Sequence, residues 1–175
     1  MAQDVVAALR ATINVENVVV VTDDPHAAAV FQADAEVVAD EPRRGLSAAV
    51  EFGATFAQHR WPVTGVVVLA ADLPAARPKD IASVLARCTR RAVVADRDGT
   101  GTVLLAAAPG LPLRAAYEGC SYAAHLRTGA EDLTPYAGEA LRRDVDTLAD
   151  LTAVTQLGVG IATATFLASA VHLEM

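Results

Sequence analysis

The strongest constraint on the fold is a regular alternation of short apolar runs with segments of helical spacing. Runs such as NVVVVTDD and GVVVLAADLP are separated by amphipathic stretches, a pattern typical of strands buried on both faces of a mostly parallel sheet. The segment AVVADRDGTGTVLLAAA departs from it, because two strands joined through a glycine-bearing turn predict a hairpin or an antiparallel edge. We therefore expect an α/β sandwich whose sheet is mostly parallel with an antiparallel portion.

The composition indicates a single globular domain that covers residues 1–175, with 53% apolar residues to build its core. A net charge of −7 argues against a general nucleic-acid binder. Cys88 and Cys120 are far apart and outside any CxxC spacing, and no signal peptide is recognisable, so a cytoplasmic location is expected. Residues 151–173 are uncharged, but their polar side chains and the LGVG step favour two helices over a membrane span.

Two aspartates, Asp144 and Asp146, lie two residues apart in the stretch RRDVDTLADL. In a short strand, residues i and i+2 point to the same face, so the two carboxylates would repel each other unless a cation lay between them. The alternative is a solvated strand end followed by a helix whose N-cap is Asp146 or Thr147.

A third carboxylate, Asp72, directly follows the most apolar strand. In open α/β sheets, ligands bind beyond the carboxyl ends of the strands, so this position favours a functional role. The alternative is a turn before Pro74, since Asp is a common turn residue. If Asp72 converges with Asp144 and Asp146, the three carboxylates form an oxygen-rich site without His or Cys, which is the ligand set of Mg²⁺.

Four motifs, VVVLAADLPA, VADRDGTGT, YEGCSYAAHLRTG and LRRDVDTLADLTAVTQLGVG, carry a resemblance. In this order they resemble the 2-phospho-L-lactate or phosphoenolpyruvate guanylyltransferases, MobA-like nucleotidyltransferases of coenzyme F-420 biosynthesis. The resemblance implies a three-layer sandwich like that of nucleotide-diphospho-sugar transferases. It implies a reaction that joins GMP from GTP to phosphoenolpyruvate or 2-phospholactate with release of pyrophosphate. It also implies that Asp72, Asp144 and Asp146 hold the catalytic Mg²⁺.

The same resemblance implies roles for the glycine-bearing and hydroxyl-bearing positions. The acceptor acid would be held by Gly101, Thr102, Gly119 and Ser121, and the nucleotide would lie near Gly45, Leu46 and Ser47, where Ser47 replaces the usual Asn. Without the resemblance, GTGT is equally a tight turn, and His125 is better interpreted as a helix-face histidine than as a base. Arg97, Arg142 and Arg143 are candidate phosphate partners or solvated surface residues, and the latter interpretation is favoured for Arg142.

The sequence departs from the family pattern in two places. Glu118 stands where the family usually has Gly, so it adds negative charge beside an anionic substrate unless it points away. The sequence also begins inside the family pattern, without the usual nucleotide loop. Three explanations compete: a misassigned start, a separately supplied segment, or a paralogue that has lost its function. We therefore expect an N-terminally truncated fold, an unpaired sheet edge that favours a homodimer, and little guanylyltransferase activity from this polypeptide alone.

Two other functions stay open on the sequence. One is a MobA-like transferase that acts on a molybdopterin or a sugar phosphate, although GTGT and SYxxH argue against it. The other, from a different class, is a non-catalytic binding module that retains only the metal and acceptor pocket.

Overall fold

The structure, a computed structural model, describes residues 1–171. Its helices are α1 (Ala2–Arg10), α2 (Pro25–Phe31), α3 (Leu46–Arg60), α4 (Pro78–Leu85), α5 (Ser121–Arg127), α6 (Leu148–Leu157) and α7 (Ile161–Val171). Its strands are β1 (Val19–Val21), β2 (Glu36–Val38), β3 (Val66–Leu69), β4 (Arg91–Ala95), β5 (Thr102–Ala107) and β6 (Glu131–Asp132). Short 3₁₀ turns cover Thr134–Tyr136 and Glu139–Leu141. The sequence pattern predicted the order of the longer elements but neither β6 nor the 3₁₀ turns.

The strands form two sheets. Strands β1 and β2 pair in parallel, and the other four lie in the order β3-β5-β4-β6. Strand β5 is antiparallel to both of its neighbours, whereas β4 and β6 are parallel. The predicted α/β fold with parallel strands and an antiparallel portion is confirmed. The hairpin of β4 and β5 is confirmed as well, but β5 lies inside the sheet rather than at an edge, because β3 also pairs with it.

The four-stranded sheet has helices on both faces, which gives the predicted three layers. One face packs against α1 and α4 through residues such as Val5 and Ile81. The other packs against α3 and the chain after β5 through Ala54 and Leu113. Strands β4 and β5 are fully buried, but β1, β2 and β3 are half-buried. Burial on both faces was therefore wrongly predicted for these three, since fewer neighbouring elements cover them.

The uncharged stretch near the carboxyl end of the sequence divides into two helices. Helix α6 ends at Gly158, whose φ of 90° lies in the left-handed region that favours glycine, and α7 starts three residues later. The break predicted at LGVG is thus confirmed. Within residues 1–171, no helix has the length and apolar character that crossing a membrane requires. Residues 172 and 173, the end of the predicted stretch, lie outside the described residues.

A buried aspartate in α1 fixes the start of α7. The Asp4 carboxylate accepts hydrogen bonds from Ala162 N at 2.8 Å, Thr163 N at 2.9 Å and Thr163 Oγ1 at 2.6 Å. It therefore satisfies N–H groups that the helix itself leaves without partners. A Cβ on residue 160 would collide with this carboxylate, so the close approach of α1 to α7 requires Gly160.

We expect Asp4→Ala to lower the free energy of unfolding by about 1–3 kcal/mol, because buried donors at the start of α7 lose their acceptor. Urea denaturation followed by circular dichroism measures this change. The matched control is Asp34→Ala, which removes an exposed carboxylate that lies 3.2 Å from Arg10 and should change stability by less than about 0.5 kcal/mol. Equal losses in the two variants would contradict the capping role.

Candidate active site

The register of β5 brings several predicted site residues to one edge of the sheet. Leu104 of β5 pairs with Leu69 of β3 and with Val94 of β4. The carboxyl ends of β3 and β4 therefore lie on either side of the start of β5. Asp72 follows β3 at this edge, and Thr102 is the first residue of β5.

The chain after α5 returns to this edge and places two more carboxylates beside Asp72. Val145 N donates a hydrogen bond to the backbone oxygen of Asp72 at 3.1 Å, and its side chain packs against a small apolar cluster that includes Ala75 and Val154. Asp144 and Asp146 flank this anchored valine. The segment is irregular rather than the short strand considered from the sequence, yet it brings the three predicted carboxylates near enough for their charges to interact.

These carboxylates repel one another in a partly dehydrated place. Burial is the main reason that the pKa of Asp72 is raised, and the charge of Asp146 raises it further. Burial likewise raises the pKa of Asp144, with smaller contributions from the charges of Asp72, Asp96 and Asp146. Oδ1 of Asp72 is buried without a hydrogen-bond partner among the described residues. A buried acceptor oxygen without a donor, next to other carboxylates, suits a cation.

The carboxylates do not form a complete metal cage by themselves. Within residues 1–171, no three His, Cys, Asp or Glu side chains are grouped closely enough to hold an ion. Mg²⁺ commonly takes one or two carboxylates and completes its shell with water and substrate phosphates. The residues present fit an ion of that kind, so the metal assignment of Asp72, Asp144 and Asp146 stays a prediction.

The cap of α6 decides between the two interpretations of Asp146. Thr147 is the N-cap: its Oγ1 accepts from Asp150 N at 3.2 Å, and the Asp150 carboxylate accepts from Thr147 N at 3.0 Å. Asp146 is exposed, and its carboxylate has no hydrogen bond or ion pair with the described residues. Of the two N-caps predicted for this helix, Thr147 is confirmed and Asp146 is wrong.

Sequence analysis missed one aspartate, Asp96, which organises the turn between β4 and β5. Its buried carboxylate accepts from Thr100 N at 2.9 Å and from Gly101 N at 2.6 Å. A Cβ on residue 101 would stand 2.5 Å from Oδ2 of Asp96, so only glycine fits there. The signal in the sequence was an aspartate placed directly before a glycine-bearing turn, where it bonds to N–H groups further along the chain.

A β-bulge turns Thr102 towards α5. Val94 pairs with Leu104 but Ala95 pairs with Thr102, so Val103 is left without a partner on β4. Val103 and Leu104 consequently pack in the same core cluster, and Thr102 points to the opposite face. There Thr102 Oγ1 lies 3.1 Å from Ser121 Oγ, with both residues buried.

The turn before α5 contains the last predicted acceptor residue. Gly119 has a φ of +68°, and its backbone oxygen accepts from Ser121 N at 2.9 Å. Gly101 and Gly119 thus lie in two neighbouring turns at one edge of the sheet, and Thr102 and Ser121 begin the strand and the helix that follow these turns. Their role in binding an acid stays a prediction.

The structure agrees with His125 as a helix-face histidine. Its side chain is fully buried, Nε2 accepts from Ala116 N at 2.8 Å, and Nδ1 lies 3.0 Å from Thr102 Oγ1. Burial lowers its pKa below the ordinary value of 6.5, and the positive charge of Arg91 lowers it further, while Glu118 opposes the shift. Because both ring nitrogens are engaged in hydrogen bonds and the lowered pKa makes the ring a weaker base, His125 is poorly suited to act as a general base.

The predicted nucleotide residues lie at the start of α3, against the same segment. Gly45 is the N-cap with a φ of 90°, and Leu46 is exposed. Ser47 Oγ accepts from Tyr117 N at 2.8 Å and donates to Glu118 Oε2 at 2.8 Å. The hydrogen bond that Ser47 donates is the main cause of the lowered pKa of Glu118. The exposed Glu118 carboxylate is therefore ionised and held by α3.

The three candidate arginines differ in their surroundings. Arg142 is half-buried and donates to the backbone oxygens of Ala95 at 3.2 Å and Asp96 at 2.7 Å, so its interpretation as a solvated residue was wrong. Arg143 pairs with Glu139 at 2.8 Å. Arg97 is exposed in the turn after β4 and remains the candidate whose charge can reach a ligand.

Comparison with known proteins identifies the family. The family model of the MobA-like NTP transferase domain matches residues 1–134. A phosphoenolpyruvate guanylyltransferase of Frankia casuarinae is 50% identical over 141 residues, 78% of this chain and 48% of that protein. Those of Thermomonospora curvata and Streptomyces coelicolor are 44% and 46% identical over 94% and 93% of this chain. The chain belongs to the MobA-like NTP transferase family.

Within this family, the resemblance to the guanylyltransferases is confirmed by identities of 44–50% over most of the chain. The prediction of a MobA-like nucleotidyltransferase domain is confirmed as well. The chain spans about half the length of the Frankia relative and 73% and 78% of the other two. The matched residues 1–134 of this MobA-like domain include Asp72, Thr102 and Ser121, whereas Asp144 and Asp146 follow them.

The buried His125 predicts a pH dependence of stability. Because the pKa of His125 is lowered by folding, the unfolded chain binds more protons than the folded chain just below pH 6.5. The contribution of His125 to the free energy of unfolding is therefore complete above that pH and is lost as the pH falls. We expect the unfolding free energy to rise between about pH 5 and pH 7, and to rise less in His125→Gln. Urea titrations at several pH values measure this, with His59→Gln, an exposed histidine, as control. Parallel profiles for the parent and His125→Gln would exclude the buried neutral ring.

Proposed function

We propose that the chain transfers GMP from GTP to phosphoenolpyruvate or 2-phospholactate and releases pyrophosphate, as a step of coenzyme F-420 biosynthesis. The relatives named phosphoenolpyruvate guanylyltransferase support this choice of reaction. The structural observation that carries it is a juxtaposition at one sheet edge. Three crowded carboxylates, one with an unpartnered buried oxygen, lie beside two turns that carry a buried hydroxyl pair.

The carboxylates supply the metal-binding part of the proposed site. Asp72, Asp144 and Asp146 would hold Mg²⁺, which when bound neutralises phosphate charge and orients the triphosphate. The protein holds the carboxylates ready for this through the hydrogen bond from Val145 N to Asp72 and through the apolar cluster under Val145. Repulsion among the carboxylates is then relieved by the ligand rather than by a neighbouring side chain.

The hydroxyl pair supplies the acceptor-binding part. Thr102 and Ser121 can donate to an oxyanion without adding a group that titrates near neutral pH, and the N–H groups of the adjacent glycine turns add further donors. The phosphate of the acceptor is already an anionic nucleophile, so no general base is required. The neutral, fully engaged His125 is consistent with this chemistry. Catalysis would rest on positioning and charge neutralisation.

The start of α3 supplies the nucleotide part. The 15-residue helix begins at Gly45, Leu46 and Ser47, and its free N–H groups and dipole favour an anion there. Ser47 also contacts Tyr117 and Glu118, so the proposed nucleotide and acceptor sites adjoin. GTP rather than another nucleotide, and a homodimer rather than a monomer, remain proposals that rest on the resemblance.

The identity of the product tests the reaction more directly than its rate, because little activity was expected from this polypeptide alone. Purified chain is incubated with GTP, Mg²⁺ and one acceptor, and the products are separated and weighed by mass spectrometry. We expect an adduct of GMP with phosphoenolpyruvate or 2-phospholactate that disappears in Asp72→Asn. An adduct with a molybdopterin or a sugar phosphate, and none with either acid, would establish the alternative transferase instead.

Metal binding gives a prediction that does not require turnover. Asp146→Asn should weaken Mn²⁺ or Mg²⁺ binding by at least about tenfold in calorimetry, because a ligand charge is lost. The metal-free variant should be as stable as the parent or slightly more stable, since repulsion is relieved. Asp34→Asn, an exposed carboxylate on the α2–β2 connection, serves as control. Unchanged affinity in Asp146→Asn would remove this residue from the metal site.

Acceptor binding should appear as thermal stabilisation. We expect phosphoenolpyruvate or 2-phospholactate to raise the melting temperature with Mg²⁺ present, in line with a stabilisation of about 2.7 kcal/mol at a hundred times the Kd. Thr102→Val keeps the shape of the side chain but removes the hydroxyl, so the shift should shrink. Thr64→Val, on the α3–β3 connection, is the control. No shift with either acid at millimolar concentration would show that the acceptor assignment is wrong.

A further inference from the structure

We propose that His125 is a positioning residue for the acceptor site, which it serves by fixing the proton arrangement of the Thr102–Ser121 hydroxyl pair so that one O–H is left for an oxyanion. The identity of that oxyanion as a phosphoenolpyruvate-like acid rests on the proposed function. The arrangement of protons does not, because it follows from hydrogen bonds within the protein.

The tautomer of the imidazole is determined by the backbone N–H of Ala116. Ala116 N carries a proton and donates it to Nε2 of His125 at 2.8 Å, so Nε2 must be the unprotonated nitrogen. The proton of the neutral ring is then on Nδ1, which lies 3.0 Å from Thr102 Oγ1. Nδ1 therefore donates and Thr102 accepts. A doubly protonated ring would set two N–H groups against each other at Ala116, so the backbone opposes protonation.

The hydroxyl pair has one proton more than its internal hydrogen bond uses. Thr102 and Ser121 have one each, and their oxygens are 3.1 Å apart, so a single proton serves the bond between them. The other hydroxyl cannot donate to His125, because Nδ1 is itself a donor. One O–H is thus left without an acceptor among the described residues, whichever way the pair is oriented. Thr102 is 8% exposed and Ser121 is 4% exposed, so water has little access to satisfy it.

The spare O–H favours one kind of ligand. A nearly dehydrated O–H gains most from an oxygen that carries negative charge, and it repels a group that can only donate. If the atom in the place of Nδ1 were a hydrogen-bond acceptor, the spare hydroxyl proton would turn inward towards it. The pair would then have no O–H left for a ligand. The histidine therefore determines that the pair presents a donor outward, although it does not contact the ligand itself.

The imidazole can fix this direction because its own position is fixed. The backbone of residues 113–117 is held by side chains from other elements: Arg91 Nε donates to Leu113 O at 2.9 Å, and Glu51 accepts from Ala115 N. The ring of Tyr117 meets His125 edge to face, with 5.0 Å between the ring centroids. Ala116 N thus points at Nε2 from a rigid segment, and rotation of the ring is opposed on both sides.

Two substitutions separate the halves of this arrangement. In His125→Gln the amide oxygen can still accept from Ala116 N, but nothing donates to Thr102, so the direction of the spare hydroxyl proton is no longer fixed. In His125→Asn the amide nitrogen can still donate to Thr102, while the bond to Ala116 N is lost. With Mg²⁺ present, we expect the Kd for phosphoenolpyruvate to rise about tenfold in His125→Gln and much less in His125→Asn. His59→Gln should leave the Kd unchanged.

A double-mutant cycle shows whether His125 acts through Thr102. If it does, adding His125→Gln to Thr102→Val should change the Kd by less than about twofold, because the hydroxyl that the histidine orients is already gone. Independent, multiplying effects of the two substitutions would overturn the positioning role. A merely structural role would produce that additive result, so folded variants give a decisive answer either way.

Nitrogen-15 NMR of the histidine side chains tests the tautomer without any ligand. We expect the His125 signals, identified by their loss in His125→Gln, to show a protonated Nδ1 and an unprotonated Nε2, the less common tautomer of a free histidine side chain. The opposite tautomer would overturn the proposal for His125 and leave the proposed function standing. A parent chain with the expected tautomer that binds neither phosphoenolpyruvate nor inorganic phosphate would instead overturn the acceptor site itself.

Discussion

The antiparallel pairing of β5 between β3 and β4 is the constraint on which the candidate site depends. Leu104 pairs with a residue of each neighbour, which aligns the carboxyl ends of β3 and β4 with the start of β5. The bulge at Val103 then turns Thr102 to the face that carries α5. Since side chains alternate between faces, a slip of one residue would return Thr102 to the opposite core and separate it from Ser121.

The aspartates of this chain serve two different purposes. Asp4 is buried with three donors and stabilises the packing of α1 on α7. Asp72 has a buried oxygen without a donor, and its neighbours Asp144 and Asp146 raise rather than relieve the repulsion. Carboxylates that are crowded and incompletely satisfied in a folded domain are typical of a functional site, where stability is given up for binding.

Local patterns in the sequence were sufficient to predict the helices and strands, but not the contacts between them. The apolar runs predicted the strands, and Asp72 was predicted from its place after one of them. The central position of β5 and the half-burial of β3 depend on which strands pair, which periodicity does not specify. Contacts such as Ser47 with Tyr117 and Val145 with Asp72 join residues about 70 apart in the chain. The tautomer of His125 followed only from the fixed N–H of Ala116.

The central claim is that the carboxylates and the hydroxyl pair form one site. The most direct measurement is paramagnetic broadening of backbone amide signals by Mn²⁺, together with broadening of the phosphorus signal of phosphoenolpyruvate. The account predicts that amides of Asp72 and residues 144–146 broaden at the lowest Mn²⁺ concentration, followed by those near Thr102 and Ser121, and that the bound acid broadens in the parent but not in Asp72→Asn. Broadening centred elsewhere, or a phosphorus signal that Asp72→Asn leaves unchanged, would contradict it.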